Sequence, residues 1–226
     1  MISLLSATSF FVAAHLLLSR TAARQGLVGR VGELGYLGIY SLLAFAGMAW
    51  MVVAYTQRPQ ILLWAAPYWA YYLPLLLMPF ALYLIVGGYM VRNPMSLGQQ
   101  GAFGEAGLPD VLRITRHPAM WGIAIWASSH LVVKGDLGSL VMFGGLLVLA
   151  LGGAAHIDQR RRLAFPEQFA RFAARTSFLP FAALAAGWTG GRSRTPDWRP
   201  VAAALTAYAA LLLLHGKVIG AAPWPA

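Results

Sequence analysis

Uncharged apolar stretches alternate with short arginine-rich segments along this chain, and their lengths predict membrane-crossing helices. A hydrocarbon core of about 30 Å takes roughly 20 helical residues. Six runs approach that size: Ile2 to Ser19, Leu34 to Tyr55, Ala70 to Met90, Pro118 to Val133, Ser139 to His156 and Val201 to Gly220. The uncharged run from Pro59 to Val91 is too long for one span and too short for two. Its first part holds Trp64, Pro67, Tyr68 and Trp69, which predicts an interfacial segment feeding the third helix. Thr176 to Gly191 is short and broken by Pro180 and Gly187, so it is expected to enter the interface without crossing. The pattern predicts an all-α, polytopic membrane helical bundle of about six transmembrane helices with an interfacial or re-entrant segment. With no repeat or low-complexity stretch, residues 1–226 are expected to form a single transmembrane domain.

Composition strengthens this reading. Hydrophobic residues make up 59% and charged residues 11% of the chain, against about a quarter charged in a soluble domain. The net charge is +10, from 17 Lys+Arg and 7 Asp+Glu. In a lipid-soluble chain such an excess belongs to cytoplasmic loops rather than to a nucleic-acid surface, so membrane lipids are the expected partner and no nucleic acid is. Met1 to Ser19 carries no charged side chain, and Arg20 follows the apolar run, the reverse of the order in a secretory signal. A retained first helix with its N-terminus outside is therefore expected. Fourteen arginines then fall inside (Arg20, Arg24, Arg30, Arg92, Arg113, Arg116, Arg160, Arg161, Arg162, Arg171, Arg175, Arg192, Arg194 and Arg199), against Arg58, Lys134 and Lys217 outside. Both termini are expected on the side away from the cytoplasm.

The candidate chemistry lies with histidine. There is no cysteine, which excludes thiolate ligands and cysteine nucleophiles. An imidazole in or near lipid usually has a partner or a task. His15, His117 and His156 lie beside inner arginines, whereas His130 and His215 precede the outer Lys134 and Lys217. His117 and His130 are thirteen residues apart in sequence, which at ~100° per residue turns them about 140° from one another. The densest signal is Ile114-Thr115-Arg116-His117-Pro118-Ala119-Met120-Trp121-Gly122. There a proline suited to a first helical position follows an arginine and a histidine. This arrangement either presents Arg116, His117 and free helix-start amides to an anion or polar ligand, or is an ordinary inner arginine beside a helix-initiating proline.

The stretches RITRHPAMWG and WASSHLVVKGD, with VAAHLLLSR in the first helix, RNPMSLG after the third and TSFLPF late in the chain, resemble the NnrU family of bacterial inner-membrane proteins. The resemblance covers nearly the whole chain in this order. It implies a place in the bacterial inner membrane and a link to denitrification, that is, nitrite and nitric oxide metabolism. The family is similar to plant zeta-carotene isomerase, which uses haem b to isomerise a polyene. That similarity implies haem b as cofactor, His15 and His130 as its metal ligands, and Ala127 at the place of an alternative cysteine ligand. A more distant likeness, to isoprenylcysteine carboxyl methyltransferases, rests on the RHP motif and on RRLAFPEQFARFAARTSFLPF. Against methyl transfer stand Met120 where that pattern has tyrosine, and Ile157 and Asp158 where it has paired glutamates.

Depth leaves the ligand pair open. Loop charges put His15 ~7 Å inside one edge of the bilayer and His130 ~6 Å inside the other, roughly 17 Å apart across a ~30 Å core. His15 with His117 is the pair that depth favours. Arg20 or Arg116 would pair with haem propionates. Three functional classes follow: a haem protein of nitrogen-oxide metabolism acting by redox, binding of a gas such as nitric oxide, or maturation of a partner; a haem-dependent isomerase of a lipid-soluble polyene; and a cofactor-free assembly or regulatory factor or methyltransferase-like scaffold.

Overall fold

A computed structural model describes residues 1–104, 107–188 and 197–224. Arg192 and Arg194, counted above among the inner arginines, lie outside the described residues. The protein is all-helical: α1 Ile2–Leu18, α2 Thr21–Thr56, α3 Tyr72–Met90, α4 Asp110–Ile114, α5 Pro118–Val133, α6 Leu137–Ala164, α7 Pro166–Ala173, α8 Ala182–Ala185 and α9 Arg199–Val218. Among the described residues, four helices are long and apolar enough to cross a membrane: Ala22–Thr56, Tyr68–Met90, Leu137–Ala164 and Arg199–Val218. Ile2–Leu18 and Pro118–Val133 are shorter apolar helices. All six expected spans are thus helices of a membrane protein.

Two boundaries differ from expectation. The segment expected as the first inner loop is itself helical, and α2 runs through it with a kink at Gly32, where φ is 74° and ψ 171°. Only glycine adopts such angles without strain, so this residue lets a polar helical stretch turn into an apolar span. In the same way α6 continues past its uncharged run to include Arg160, Arg161 and Arg162. Charge ends the apolar run but not the backbone hydrogen bonding, because arginine is a good helix former. In the expected interfacial stretch, Tyr68–Tyr71 forms a 3-10 turn leading into α3. The described part of the Thr176–Gly191 run has no helix longer than Ala182–Ala185.

The chain divides into two compact units. The first, Met1–Pro67 with Ala127–Gly153, is built on the α1–α2 hairpin. Trp50 Nε1 donates to Ser3 Oγ at 3.1 Å near one end, and Tyr36 Oη donates to the Leu18 carbonyl at 3.3 Å near the other. Gly47 lets the rings of Phe10 and Phe11 approach the α2 backbone. After α2 the chain pairs with the turn before α6, where Leu63 N donates to Gly135 O at 2.7 Å and Leu137 N to Ile61 O at 2.8 Å. Asp136 starts α6 by accepting from Ser139 N at 3.0 Å and Ser139 Oγ at 2.6 Å, which satisfies an amide that has no helical acceptor. Arg58 donates to the same carboxylate at 2.9 and 3.2 Å and lies over the Tyr55 ring, 3.6 Å from its centre. Burial alone would push the Asp136 carboxyl up, but the bonds from Arg58 and Ser139 outweigh it and hold the group at about 2.

The second unit is Tyr68–Trp126 with Ala154–Ala226. Tyr208 of α9 donates to the Leu75 carbonyl of α3 at 2.9 Å. In lipid, helices associate by close packing rather than by hydrophobic expulsion, and glycine permits it here. A β-carbon at Gly88 would sit 2.9 Å from Pro118 Cγ, and one at Gly122 would sit 2.5 Å from the Ala81 carbonyl oxygen. A small core of Leu84 of α3, Met95, Leu108, Val111, Leu112, Phe169 and Phe172 joins α3, α4 and α7.

Candidate functional site

The Arg116–His117 pair ends the short link between α4 and α5, and its polar groups are bound by this chain. Arg116 and His117 are buried, 9% and 3% exposed, as is Asp158 at 7%. Asp158, on the last part of α6, is the hub. Arg116 Nε donates to its two oxygens at 3.0 and 2.9 Å, and Arg116 Nη2 makes a further short bond to Oδ2. His117 Nε2 lies 2.6 Å from Asp158 Oδ1. A carboxylate cannot donate, so His117 carries its proton on Nε2 and keeps its lone pair on Nδ1. Burial lowers the His117 pKa, and the neighbouring Asp158 only partly offsets this, so the imidazole is neutral at pH 7. The Phe178 ring stands edge-on to His117, 5.4 Å between centres.

Three stretches that are remote in sequence converge around this hub. From TSFLPF, the Ser177 carbonyl accepts from Arg116 N at 3.0 Å. The Phe178 carbonyl accepts from Thr115 Oγ1 at 2.8 Å and from Trp121 Nε1 at 2.7 Å. From RNPMSLG, Asn93 Nδ2 donates to the Arg116 carbonyl at 3.1 Å, while Asn93 Oδ1 accepts from Met95 N at 2.9 Å. Arg161, one turn after Asp158, donates to the Ser96 carbonyl at 2.7 Å. Such a network is stable only when its members are satisfied, since an unpaired buried polar group costs about 1–3 kcal/mol.

The guanidinium expected to meet an anion is thus occupied by Asp158, and the first amide ahead of α5 donates to Thr115 Oγ1 at 3.2 Å. In the sequence Asp158 stands out only as a departure from paired glutamates, not as the partner of Arg116 and His117. The signal was an acid directly after the long uncharged run of α6, but its partners lie 41 and 42 residues away, beyond what spacing reveals. Asn93 and Thr115 stand inside the motifs RNPMSLG and RITRHPAMWG, but as neutral residues they are not singled out there for a role.

The chain matches the family model described as NnrU protein over residues 3–223. It belongs to the NnrU family. Curated relatives are the chloroplastic 15-cis-zeta-carotene isomerases of Zea mays, 38% identical over 86 residues, and of Arabidopsis thaliana, 36% identical over 77 residues. Those matches take in 38% and 34% of this chain, but 22% and 21% of the plant proteins, so the chain spans about a fifth of the curated relatives it matches. No solved structure matches.

The other two candidate haem-ligand histidines, His15 and His130, belong to the first unit. His15 on α1 donates from Nδ1 to the Phe11 carbonyl at 2.8 Å, which leaves the lone pair on Nε2. Its ring lies 4.2 Å from that of Phe11 and 5.3 Å from that of Tyr40, centre to centre. His130 stacks on Phe143 of α6 at 5.4 Å, and Ser129 Oγ lies 3.4 Å from its Nδ1. Helix register sets their relative depth. Trp50 ties the end of α2 to the start of α1, and Arg58 ties it to the start of α6, so α1 and α6 begin at one end of this unit. Gly145 lies against Thr8, and Phe143 is two residues nearer that end. His15 is seven residues beyond Thr8, so its backbone is about 13 Å deeper than the Phe143 level. Because its ring leans back over Phe11, the gap closes by roughly one turn, about 5 Å. The structure thus places the two histidines in one unit, with their backbones at different depths.

Proposed function

We propose that this chain is a membrane-embedded haem b protein, with His15 as axial ligand, that isomerises a double bond of a lipid-dissolved polyene. The observation that carries the reading is the state of His15: a backbone carbonyl fixes the proton on Nδ1 and leaves Nε2 available in an aromatic setting. Metal-binding imidazoles are commonly oriented by this kind of bond, and the flanking rings of Phe11 and Tyr40 suit a flat apolar macrocycle. His117 is a weaker candidate, because Asp158 takes its Nε2 and Nδ1 adjoins the β-carbon, which crowds a macrocycle. Haem b would supply an iron with a position open to ligands. The substrate class follows the names of the plant relatives. A nitric oxide-binding role tied to denitrification is the second reading. It is favoured by Ala127, fully buried where a thiolate alternative is expected, since a site without that ligand suits a small gas. The arginine bias supports an orientation with both termini periplasmic, in the bacterial inner membrane that the family resemblance implies.

The test is an absorption spectrum of the purified protein, oxidised and dithionite-reduced, after expression with ample haem. A Soret band is expected, lost in His15→Ala and retained in His215→Ala. Absence of the band from the unaltered protein overturns the proposal. With haem bound, conversion of a 15-cis polyene in liposomes supports the first role, and a spectral shift with nitric oxide alone supports the second.

A further inference from the structure

The imidazole of His15 is held within its own helix by Phe11. Nδ1 donates to the Phe11 carbonyl at 2.8 Å, an oxygen that also faces the helical N–H of His15 itself. The Phe11 ring, four residues back on the same face, lies 4.2 Å away between centres and is tilted by 50°. The last torsion of a histidine side chain has broad minima, so these contacts fix the tautomer but restrain the ring plane weakly. A third contact comes from another helix. Tyr40 of α2 meets His15 in a T-shaped pair, 5.3 Å between centres at 69°.

The turn of α2 before Tyr40 sets up this contact. Tyr36 is 4% exposed, and its hydroxyl donates to the Leu18 carbonyl at 3.3 Å. Leu18 is the last residue of α1, so its carbonyl has no N–H of that helix to accept from. The helices are antiparallel, with Ser3 beside Trp50 and Leu18 beside Tyr36. A turn forward on α2 therefore matches a turn back on α1, which brings Tyr40 level with His15. The two tyrosine rings lie 6.0 Å apart, and the Arg24 guanidinium covers Tyr36 at 5.2 Å. Edge-to-face pairs are directional, because a positive ring edge seeks a negative face. Tyr40 thus restrains the angle of the imidazole as well as its place.

We propose that Tyr40 is a positioning residue that sets the plane of the His15 imidazole, and with it the orientation of a planar ligand held through Nε2. The inference rests on the haem reading above and assigns α2 a part in it, through the aromatic ring of Tyr40. A side chain already held in its bound conformation loses less freedom when the ligand arrives. Tyr40 therefore contributes both to affinity and to a single bound geometry.

Haem titrated into the detergent-purified full chain, with electron paramagnetic resonance of the ferric form, tests this. Tyr40→Phe keeps the ring and should match the unaltered protein in affinity and in a single set of g values. Tyr40→Leu and Tyr40→Met keep apolar bulk without an aromatic ring. Both should weaken haem binding about twofold to tenfold, the range of one aromatic pair, and broaden or double the resonances. Trp50→Phe removes the bond to Ser3 at the far end of the hairpin. It should lower the melting temperature and leave haem affinity and g values unchanged. Circular dichroism verifies that the variants fold. If the unaltered protein binds haem and the leucine and methionine variants share its g values, the role of Tyr40 is overturned and the haem reading stands. Equal effects from Trp50→Phe overturn it likewise. Absence of a Soret band from the unaltered protein overturns both.

Discussion

Replacing Asp158 by asparagine removes one negative charge from the hub while preserving its shape. Arg116 and His117 would then share a neutral amide, with side chains only 11% and 1% exposed. Removing one partner of a buried ion pair typically costs about 3–5 kcal/mol, because the remaining charge stays desolvated. Asparagine keeps one acceptor oxygen, so the lower end of that range, about 3 kcal/mol, is expected. At about 2–4 °C per kcal/mol for a chain of this length, this lowers the melting temperature by roughly 6–12 °C. Thermal unfolding in detergent, followed by tryptophan fluorescence, measures it, and Trp121 bonds directly to the Phe178 carbonyl beside the hub. A double-mutant cycle uses Asp158→Leu, Arg116→Met and the double variant Arg116→Met/Asp158→Leu. Removing both charges should lose less than the sum of the single changes, although Thr176 O and His117 Nε2 then lack their partners. A melting temperature for Asp158→Asn within about 2 °C of the parent, or strict additivity in the double variant, would refute the view that this pair joins the segments.

His117 also predicts a pH dependence. Its pKa is lowered in the folded protein, so below the ordinary value of about 6.5 the unfolded chain binds the extra proton first. The contribution is fully present above that value and is lost as pH falls through the window down to the folded pKa. Melting temperatures from pH 8 to 5 should show an acid-side decline that His117→Gln flattens, and an unchanged slope would count against the assignment. Gly122→Ala should destabilise by about 1–3 kcal/mol through overpacking, since the new methyl meets Ala81 and Ile85, whereas Gly152→Ala has open space and should be silent; paired melts distinguish them. The chain has no cysteine, so single cysteines at Gln25 and Ala222 can be labelled cleanly in intact cells. An impermeant maleimide should reach Ala222→Cys and not Gln25→Cys, and the reverse pattern would invert the proposed topology.

Apolar run length determined the helical membrane architecture, because lipid thickness and backbone satisfaction leave little freedom in how such a chain spans. All six runs, from Ile2 to Gly220, became helices, and the RHP segment stood out from residue types alone. Charge patterning misled only at the junctions, where α2 and α6 continue through arginines that helices readily accept. What the sequence left undetermined was pairing. That Asp158 meets Arg116 and His117, that Thr115 and Asn93 secure the link between α4 and α5, and that Tyr40 of α2 meets His15 are long-range facts. Local periodicity reports which face of a helix is apolar, whereas the partner of a buried polar group depends on which remote segment arrives within about 3 Å of it. For the histidines singled out at the start, tertiary structure supplied the chemical state: a bonded Nε2 at His117 and an available one at His15.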